Sequence, residues 1–503
     1  MNKRLTFRLV GYVLLVEAAL MVLPLIVSLI MRDGAVRALL ISMAITAAAG
    51  GLLSLMKPRN DNLRAREGFA VVALSWILLS LFGALPFRIH GCIPKLVDAF
   101  FETASGFTTT GSTILTEIES LPKGLLFWRS FTHWVGGMGV LVLSLALLPK
   151  MGARSIYLMR AESPGPSTDK LVPKVGNNAK LLYWLYAGLS LAMLIALLCT
   201  GMNLYDALIH TFGAAGTGGF SNYNASVGHF NDPVIEMIIA VFMALFGVNF
   251  SFYYYMLWKY RKQGRLKARD LSVLDSQLHR HRHSPIPGGS EVVLYLAIIA
   301  GATVVIAVNL SRSMGYEAAT SLRYSFFQVS SIITTTGYGT ADFNLWPQLS
   351  RTILVGLMLV GACAGSTGGG LKVVRVQLLV KSMMREVRKT IHPKSINTVK
   401  LDGHTVDEST LTGVYGFFIA YIVILMLGTL VISLDGFSFE TNLTAVISTL
   451  SNIGPGLDVV GPTGNFAGYS DLSTFVLSIC MLIGRLEIFP ILMLLAPSAW
   501  DRY

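Results

Sequence analysis

Long apolar runs alternate with short polar connections along this chain. Ten runs stand out, at roughly 9–30, 36–56, 68–87, 124–148, 181–202, 233–258, 292–310, 351–380, 411–434 and 473–497. A helix rising about 1.5 Å per residue needs about 20 apolar residues to cross a hydrocarbon core about 30 Å thick. Within lipid every backbone N–H and C=O must find its partner inside the protein. Unbroken runs such as Val292 to Leu310 therefore predict helices and exclude a β-barrel, whose strands are short and alternate. The pattern predicts an all-α polytopic membrane protein with ten transmembrane helices.

A second pattern lies in the connections. After the third, fifth, seventh and ninth runs comes a short, weakly apolar stretch that ends in glycine. The four begin at Asp98, Asp206, Tyr324 and Thr441 and reach Gly111, Gly219, Gly337 and Gly454, each glycine 13 positions on. The glycines are 108, 118 and 117 residues apart. This is a fourfold internal repeat of span, short segment, glycine loop and span. It divides the chain into two extra N-terminal spans (1–67) and four repeats at 68–180, 181–290, 291–400 and 401–503.

Each short segment, at about 9–12 helical residues, covers only about half the membrane. Asp98 and Asp206 suit helix N-caps. A half-crossing helix must be followed by a loop that climbs back out. Non-helical backbone is tolerated at that depth only inside protein or along a water-filled cavity. Four re-entrant pore helices, arranged with pseudo-fourfold symmetry, would surround a pore.

Composition supports this class. The chain is 53% hydrophobic and 14% charged, with a mean hydropathy of +0.60. Soluble domains carry about 25% charged residues. The net charge of +12 is explained by loop asymmetry rather than by nucleic acid. One alternating set of connections, comprising the N-terminus, 57–67, 149–180, 259–290 and 372–400, holds 29 of the 40 Lys and Arg residues. The positive-inside rule puts that set, and both termini, in the cytoplasm. No cleavable signal peptide is evident, so the first run is expected to be a retained span. Cys92, Cys199, Cys363 and Cys480 share no metal-binding spacing.

The loops carry the chemistry. A filter for a monovalent cation must replace water with neutral oxygen dipoles, because full negative charge would hold the ion too tightly. Backbone carbonyls serve, and glycine reaches the φ/ψ needed to aim them. The expected filter residues are Thr109, Thr110 and Gly111; Thr217, Gly218 and Gly219; Thr335, Thr336 and Gly337; Asn452, Ile453 and Gly454. The C-termini of the short helices point partial negative charge at the axis. No carboxylate falls in these triplets.

These motifs resemble the TrkH/TrkG/KtrB superfamily of potassium transporters. The resemblance rests on FETASGFTTTGST (101–113), FWRSFTHWVGGMGVLVLSLALLP (127–149), FGAAGTGGFS (212–221), GACAGSTGGGLKVVRV (361–376), SNIGPGL (451–457) and GRLEIFP (484–490). It covers nearly the whole chain and fits the TrkH-like branch, which carries two extra N-terminal spans. It implies potassium uptake across a bacterial inner membrane, with the aligned glycines in the filter and no bound cofactor. It also implies a homodimer and a soluble, nucleotide-binding cytoplasmic ring of the TrkA or KtrA type as partner. The basic segments 259–290 and 372–400 could dock that ring or contact anionic lipid.

The eighth run contains Gly356, Gly361, Gly365, Gly368, Gly369 and Gly370. Each glycine costs about 1 kcal/mol against alanine in a helix, so a break is predicted there. In the resembled family the segment matches an intramembrane gate, here Gly365, Ser366, Thr367, Gly368, Gly369 and Gly370. Its likeness to a phosphate loop fails, because Leu371 displaces the lysine and no strand precedes it. Arg485 interrupts the last run, and a buried arginine is a functional candidate. It either pairs with Glu487 or Glu17 or caps carbonyls, or faces the pathway beside the gate, as the resemblance implies. Arg129 and His133 are expected to snorkel at the outer end of their span.

Three alternatives have distinct signatures. A membrane-embedded enzyme needs a convergent acid–base or metal cluster, and no such motif is present. A sodium- or proton-coupled solute carrier favours inverted repeats with intramembrane charges. A non-conducting sensor would differ only in lacking flux.

Overall fold

The computed structural model describes residues 2–58, 65–139, 175–263, 288–395 and 397–496. Among these residues the architecture is helical, with one small hairpin pairing Lys400–Leu401 and His404–Thr405. Its turn residues, Asp402 and Gly403, have φ of 48° and 82°. That is the type I′ geometry which Asp-Gly favours.

Six helices among the described residues are long and apolar enough to cross a membrane. They are Lys3–Met31, Val36–Ser54, Arg66–His90, Leu181–Cys199, Gly289–Met314 and Glu408–Asp435. Pro233–Phe246 and Phe250–Met256, bent by 88°, add a seventh if taken as one broken span. The other three expected runs are not single continuous helices. Run 124–148 is helical over Lys123–Gly137, and from residue 140 it lies outside the described residues, as do residues 149–174 and the basic segment 264–287. Run 351–380 splits into Gln348–Val360 and Val373–Ile391 around the glycine segment. Run 473–497 splits into Asp471–Arg485 and Phe489–Leu495, separated by three residues, of which Glu487 and Ile488 have positive φ.

One order of elements occurs four times: a long helix, a short buried helix, a loop and a second helix. The short helices are Leu96–Phe107, Leu204–Gly216, Ala318–Ile333 and Phe439–Ser451, of 12, 13, 16 and 13 residues. Three of them are slightly longer than expected, yet at about 1.5 Å per residue none spans a core of about 30 Å. Their caps correct the sequence expectation. Lys95 and Asn203 are the N-caps, and Asp98 and Asp206 lie in the first turn. Asn203 Oδ1 accepts the Asp206 amide at 2.9 Å and Asn203 Nδ2 donates to the Asp206 carboxylate at 2.7 Å. An acidic first-turn residue meets the helix dipole as favourably as a cap would.

The first helix, Lys3–Leu20, lies against Val36–Ser54 with almost no space between the backbones. A Cβ on Gly11 would sit 2.8 Å from the Gly50 carbonyl oxygen. Small residues allow this close approach where the hydrophobic effect gives no drive for association.

Candidate functional site

All four short helices end in the same way. The amides of Thr110, Gly218, Thr336 and Ile453 donate to the carbonyls of Ser105, Gly213, Ser331 and Ser448, at 2.8, 2.8, 2.8 and 2.9 Å. Each bond reaches back five residues, which is the closure of a Schellman motif. The left-handed residue that makes such a closure is usually glycine. Here it is Thr109, Thr217, Thr335 and Asn452, with φ of 55°, 57°, 59° and 55°. A β-branched residue held there is strained by about 1–3 kcal/mol.

The repeated spacing of the glycines therefore has another cause than capping. Gly111, Gly219, Gly337 and Gly454 lie two residues further on, again at positive φ. A positive-φ residue thus stands on either side of the middle residue of each loop.

The four loops form a closed ring. A Cβ on Gly111 would come closer than 3.0 Å to the carbonyl oxygen of Gly218. The same holds for Gly219 against Thr336, for Gly337 against Ile453 and for Gly454 against Thr110. Each glycine touches the middle residue of the next loop, and the fourth returns to the first. Side chains close the last joint as well: Asn452 Nδ2 donates to Thr110 Oγ1 at 2.9 Å, and Ser112 Oγ to the Gly454 carbonyl at 2.9 Å. All four glycines line one open mouth of about 180 Å³. Among the described residues no three His, Cys, Asp or Glu side chains gather to hold a metal. The oxygens at the ring are carbonyls and hydroxyls.

Behind the ring lies a buried ion pair that the sequence reading did not single out. Glu102, 1% exposed, meets Arg129, 2% exposed, with Nε to Oε1 at 2.6 Å. Glu102 also accepts the Thr113 hydroxyl and the Ile114 amide, which fastens the first loop to its own helix. Arg129 donates to the Ser221 carbonyl at 3.0 Å and covers the Phe220 ring, which fastens the second loop. His133, fully buried, has Nδ1 at 2.7 Å from the Gly106 carbonyl. The expectation that Arg129 and His133 snorkel is thus corrected. Both point inward, because the first short helix and the second loop offer them carboxylate and carbonyl oxygens that lipid does not. A glutamate within the first short segment and an arginine in the following span were the available signal.

The glycine segment is non-helical from Gly361 to Lys372, as its composition predicts. Gly361, Gly365, Gly370 and Lys372 have positive φ. It packs directly beneath the ring. The Gly369 amide donates to Thr335 Oγ1 at 2.7 Å, and a Cβ on Gly369 would overlap the Ser451 carbonyl. Lys372 Nζ folds back to the Gly368 carbonyl at 2.6 Å. Arg485 caps backbone carbonyls, and one of them belongs to the glycine segment. It donates to the carbonyls of Thr367 (2.8 Å), Gly137 (2.9 Å) and Gly136. Glu487 instead pairs with Arg375. Ser366 Oγ donates within the segment to the Cys363 carbonyl.

A family model described as TrkH, cation transport protein, matches residues 36–501. The chain belongs to the TrkH family of cation transport proteins. It is 37% identical over 505 residues to the Trk system potassium uptake protein TrkH of Escherichia coli K12, covering 99% of this chain and 100% of that one. It is 36% identical over 505 residues to the TrkH of Halomonas elongata, with full coverage of both. The crystal structure of the potassium transporter TrkH from Vibrio parahaemolyticus aligns over 100% of both chains with a TM-score of 0.84 and 31% identity. The family transports cations and is not one of enzymes. This member is a multi-pass membrane protein whose sequence-predicted loop, glycine-segment and Arg485 residues meet in one place.

Proposed function

We propose that the chain takes up potassium across a bacterial inner membrane, as the translocating subunit of a Trk-type system. Relatives of similar length at 36–38% identity are named Trk system potassium uptake proteins. The observation that carries the reading is the closed ring, in which each loop's glycine rests on the next loop's carbonyl. Four short helices direct their C-terminal partial charge at that ring, which favours a cation. Its oxygens are neutral dipoles, so a monovalent ion is bound without being trapped.

In this reading Thr109 to Gly111, Thr217 to Gly219, Thr335 to Gly337 and Asn452 to Gly454 form the filter. Two of the ten spans lie in 1–67, and the other eight, with the four re-entrant pore helices, follow the repeat boundaries 68–180, 181–290, 291–400 and 401–503. Residues 365–370 form the gate, and Arg485 both anchors it and repels cations below the filter. Potassium is the transported ion, and both termini are cytoplasmic. A TrkA-like nucleotide-binding ring and a second copy of the chain are the partners.

The test is flux in liposomes of potassium, rubidium and sodium, with Gly111→Ser alongside. Potassium and rubidium well above sodium, with discrimination lost in the variant, supports the filter. Unchanged selectivity in an active Gly111→Ser protein overturns it, and silence even with Arg485→Ala points to a sensor.

A further inference from the structure

The glycine segment is held from the far side by a carboxylate that takes no part in the ring. Glu291, 3% exposed, lies in the first turn of helix Gly289–Met314. Its Oε1 accepts the Ala364 amide at 2.7 Å and the Val374 amide at 3.2 Å. One amide is near the start of the break and the other is the second residue of helix Val373–Ile391. A single oxygen therefore fixes how far apart the two ends of the segment stand.

The same helix is gripped at its very beginning by a second carboxylate. Asp402, at the tip of the hairpin, accepts the Gly288 amide at 2.7 Å through Oδ2 and the Ser290 amide at 3.0 Å through Oδ1. These are the N-cap amide and a first-turn amide, which no intrahelical carbonyl serves. The N-cap, Gly288, has no side chain to serve them either. The hairpin is itself fastened: Val399 packs with Val374, Leu378, Leu411 and Val414, and Lys381 Nζ donates to the Lys400 carbonyl at 2.9 Å.

We infer that Asp402 and Glu291 act in series as positioning residues, making the hairpin a handle on the glycine segment. The inference rests on the gate reading above. Asp402 sets where the helix begins, and Glu291 directly follows Ser290 in that same first turn. A displaced hairpin shifts the Glu291 carboxylate and, with it, both ends of the segment. Neither residue touches the ring, so the linkage acts on opening and not on selectivity. The hairpin lies at the end of the molecule that the positive-inside rule assigns to the cytoplasm. A load applied there by a soluble partner would be read at the gate.

The test uses the full chain in liposomes, with rubidium flux and hydrogen–deuterium exchange measured together. Asp402→Ala is expected to speed exchange over 361–376, which residue 402 does not contact, as well as at 288–292. Rubidium flux rises about fivefold, within the range by which single contacts bias a two-state element. Glu291→Ala does the same. The double variant exceeds neither single one, and Glu291→Gln, which keeps an acceptor oxygen, falls back to within about twofold of the parent. The potassium-to-sodium ratio stays as in the parent throughout. Exchange that rises only at 288–292, or flux effects that multiply in the double variant, overturns the linkage and leaves Asp402 a local cap. Arg485→Ala separates the two levels. Raised flux there with unchanged flux in both alanine variants rejects the linkage alone. Unchanged flux in all three rejects the gate, and the linkage with it.

Discussion

Arg485 donates through Nη1 to the Thr367 carbonyl at 2.8 Å, a contact across 118 residues of sequence. The other arm of its fork serves carbonyls at the end of helix Lys123–Gly137. One side chain thus joins the glycine segment to the second helix of the first repeat. A hydrogen bond to a charged group contributes about 1.5–3 kcal/mol. Arg485→Ala frees the segment and is expected to raise rubidium flux without any partner by about tenfold or more, since about 1.4 kcal/mol is a factor of ten. Arg485→Lys keeps the charge but loses the fork, so its flux falls between the two. A lysine variant as leaky as the alanine variant would show that charge is irrelevant and geometry alone holds the segment.

The ring sets a graded sensitivity to alanine. A Cβ on Gly111, Gly219 or Gly337 overlaps a backbone carbonyl, which cannot rotate away, whereas one on Gly454 stops at 2.9 Å. Each of the first three substitutions is expected to cut potassium flux by at least about tenfold, because a Cβ overlapping a fixed carbonyl forces the next loop to move, on top of the strain of more than about 1 kcal/mol that positive φ imposes at all four glycines. Gly454→Ala is the mildest. Gly188, exposed on a long helix with nothing within 4 Å, is the control. Alanine there leaves flux unchanged and adds up to about 1 kcal/mol of helix stability. Equal flux loss at all four ring positions would argue against carbonyl overlap as the cause.

Glu102 and Arg129 are a buried pair, so losing one partner strands the other. Glu102→Gln or Arg129→Met is expected to destabilise by about 3–5 kcal/mol, and the double variant by clearly less than the two together. Thermal unfolding in detergent checks this. Selectivity should loosen in both single variants, since the pair fastens the first and second loops. Additive losses would mean that the two charges do not depend on each other.

Asp458 gives a pH signature outside the membrane. Hydroxyls of Thr441 and Ser438 donate to its carboxylate and hold it below the usual carboxylate range. A carboxyl depressed in the folded state stabilises above the unfolded pKa of about 3.9, and that contribution is lost as pH falls through the lower folded value. The melting temperature should therefore drop on acidification below about pH 4, with a smaller drop in Asp458→Asn. The same slope in both proteins would locate the acid sensitivity elsewhere.

The sequence by itself determined the properties that depend on neighbours along the chain. Apolar run length announced the helices, the recurrence of glycine 13 residues after each opening residue announced four equivalent loops, and the crowding of glycine at 361–370 announced a break. These are local preferences, and the fold follows them except where runs 124–148 and 473–497 leave the helix at Gly137 and Arg485. Tertiary structure decided everything that joins distant segments. Which residue takes the left-handed cap became clear only when Thr109 and its counterparts did so and left the glycines free to touch the next loop. Arg129 turned inward because Glu102 and Ser221 were brought to it. Asn452 finds Thr110 across 342 residues, and Asp402 finds Gly288 across 114. No periodicity encodes such pairs. They exist because closing four repeats into a ring buries polar atoms whose hydrogen bonds must then be met by whatever the neighbouring repeat presents.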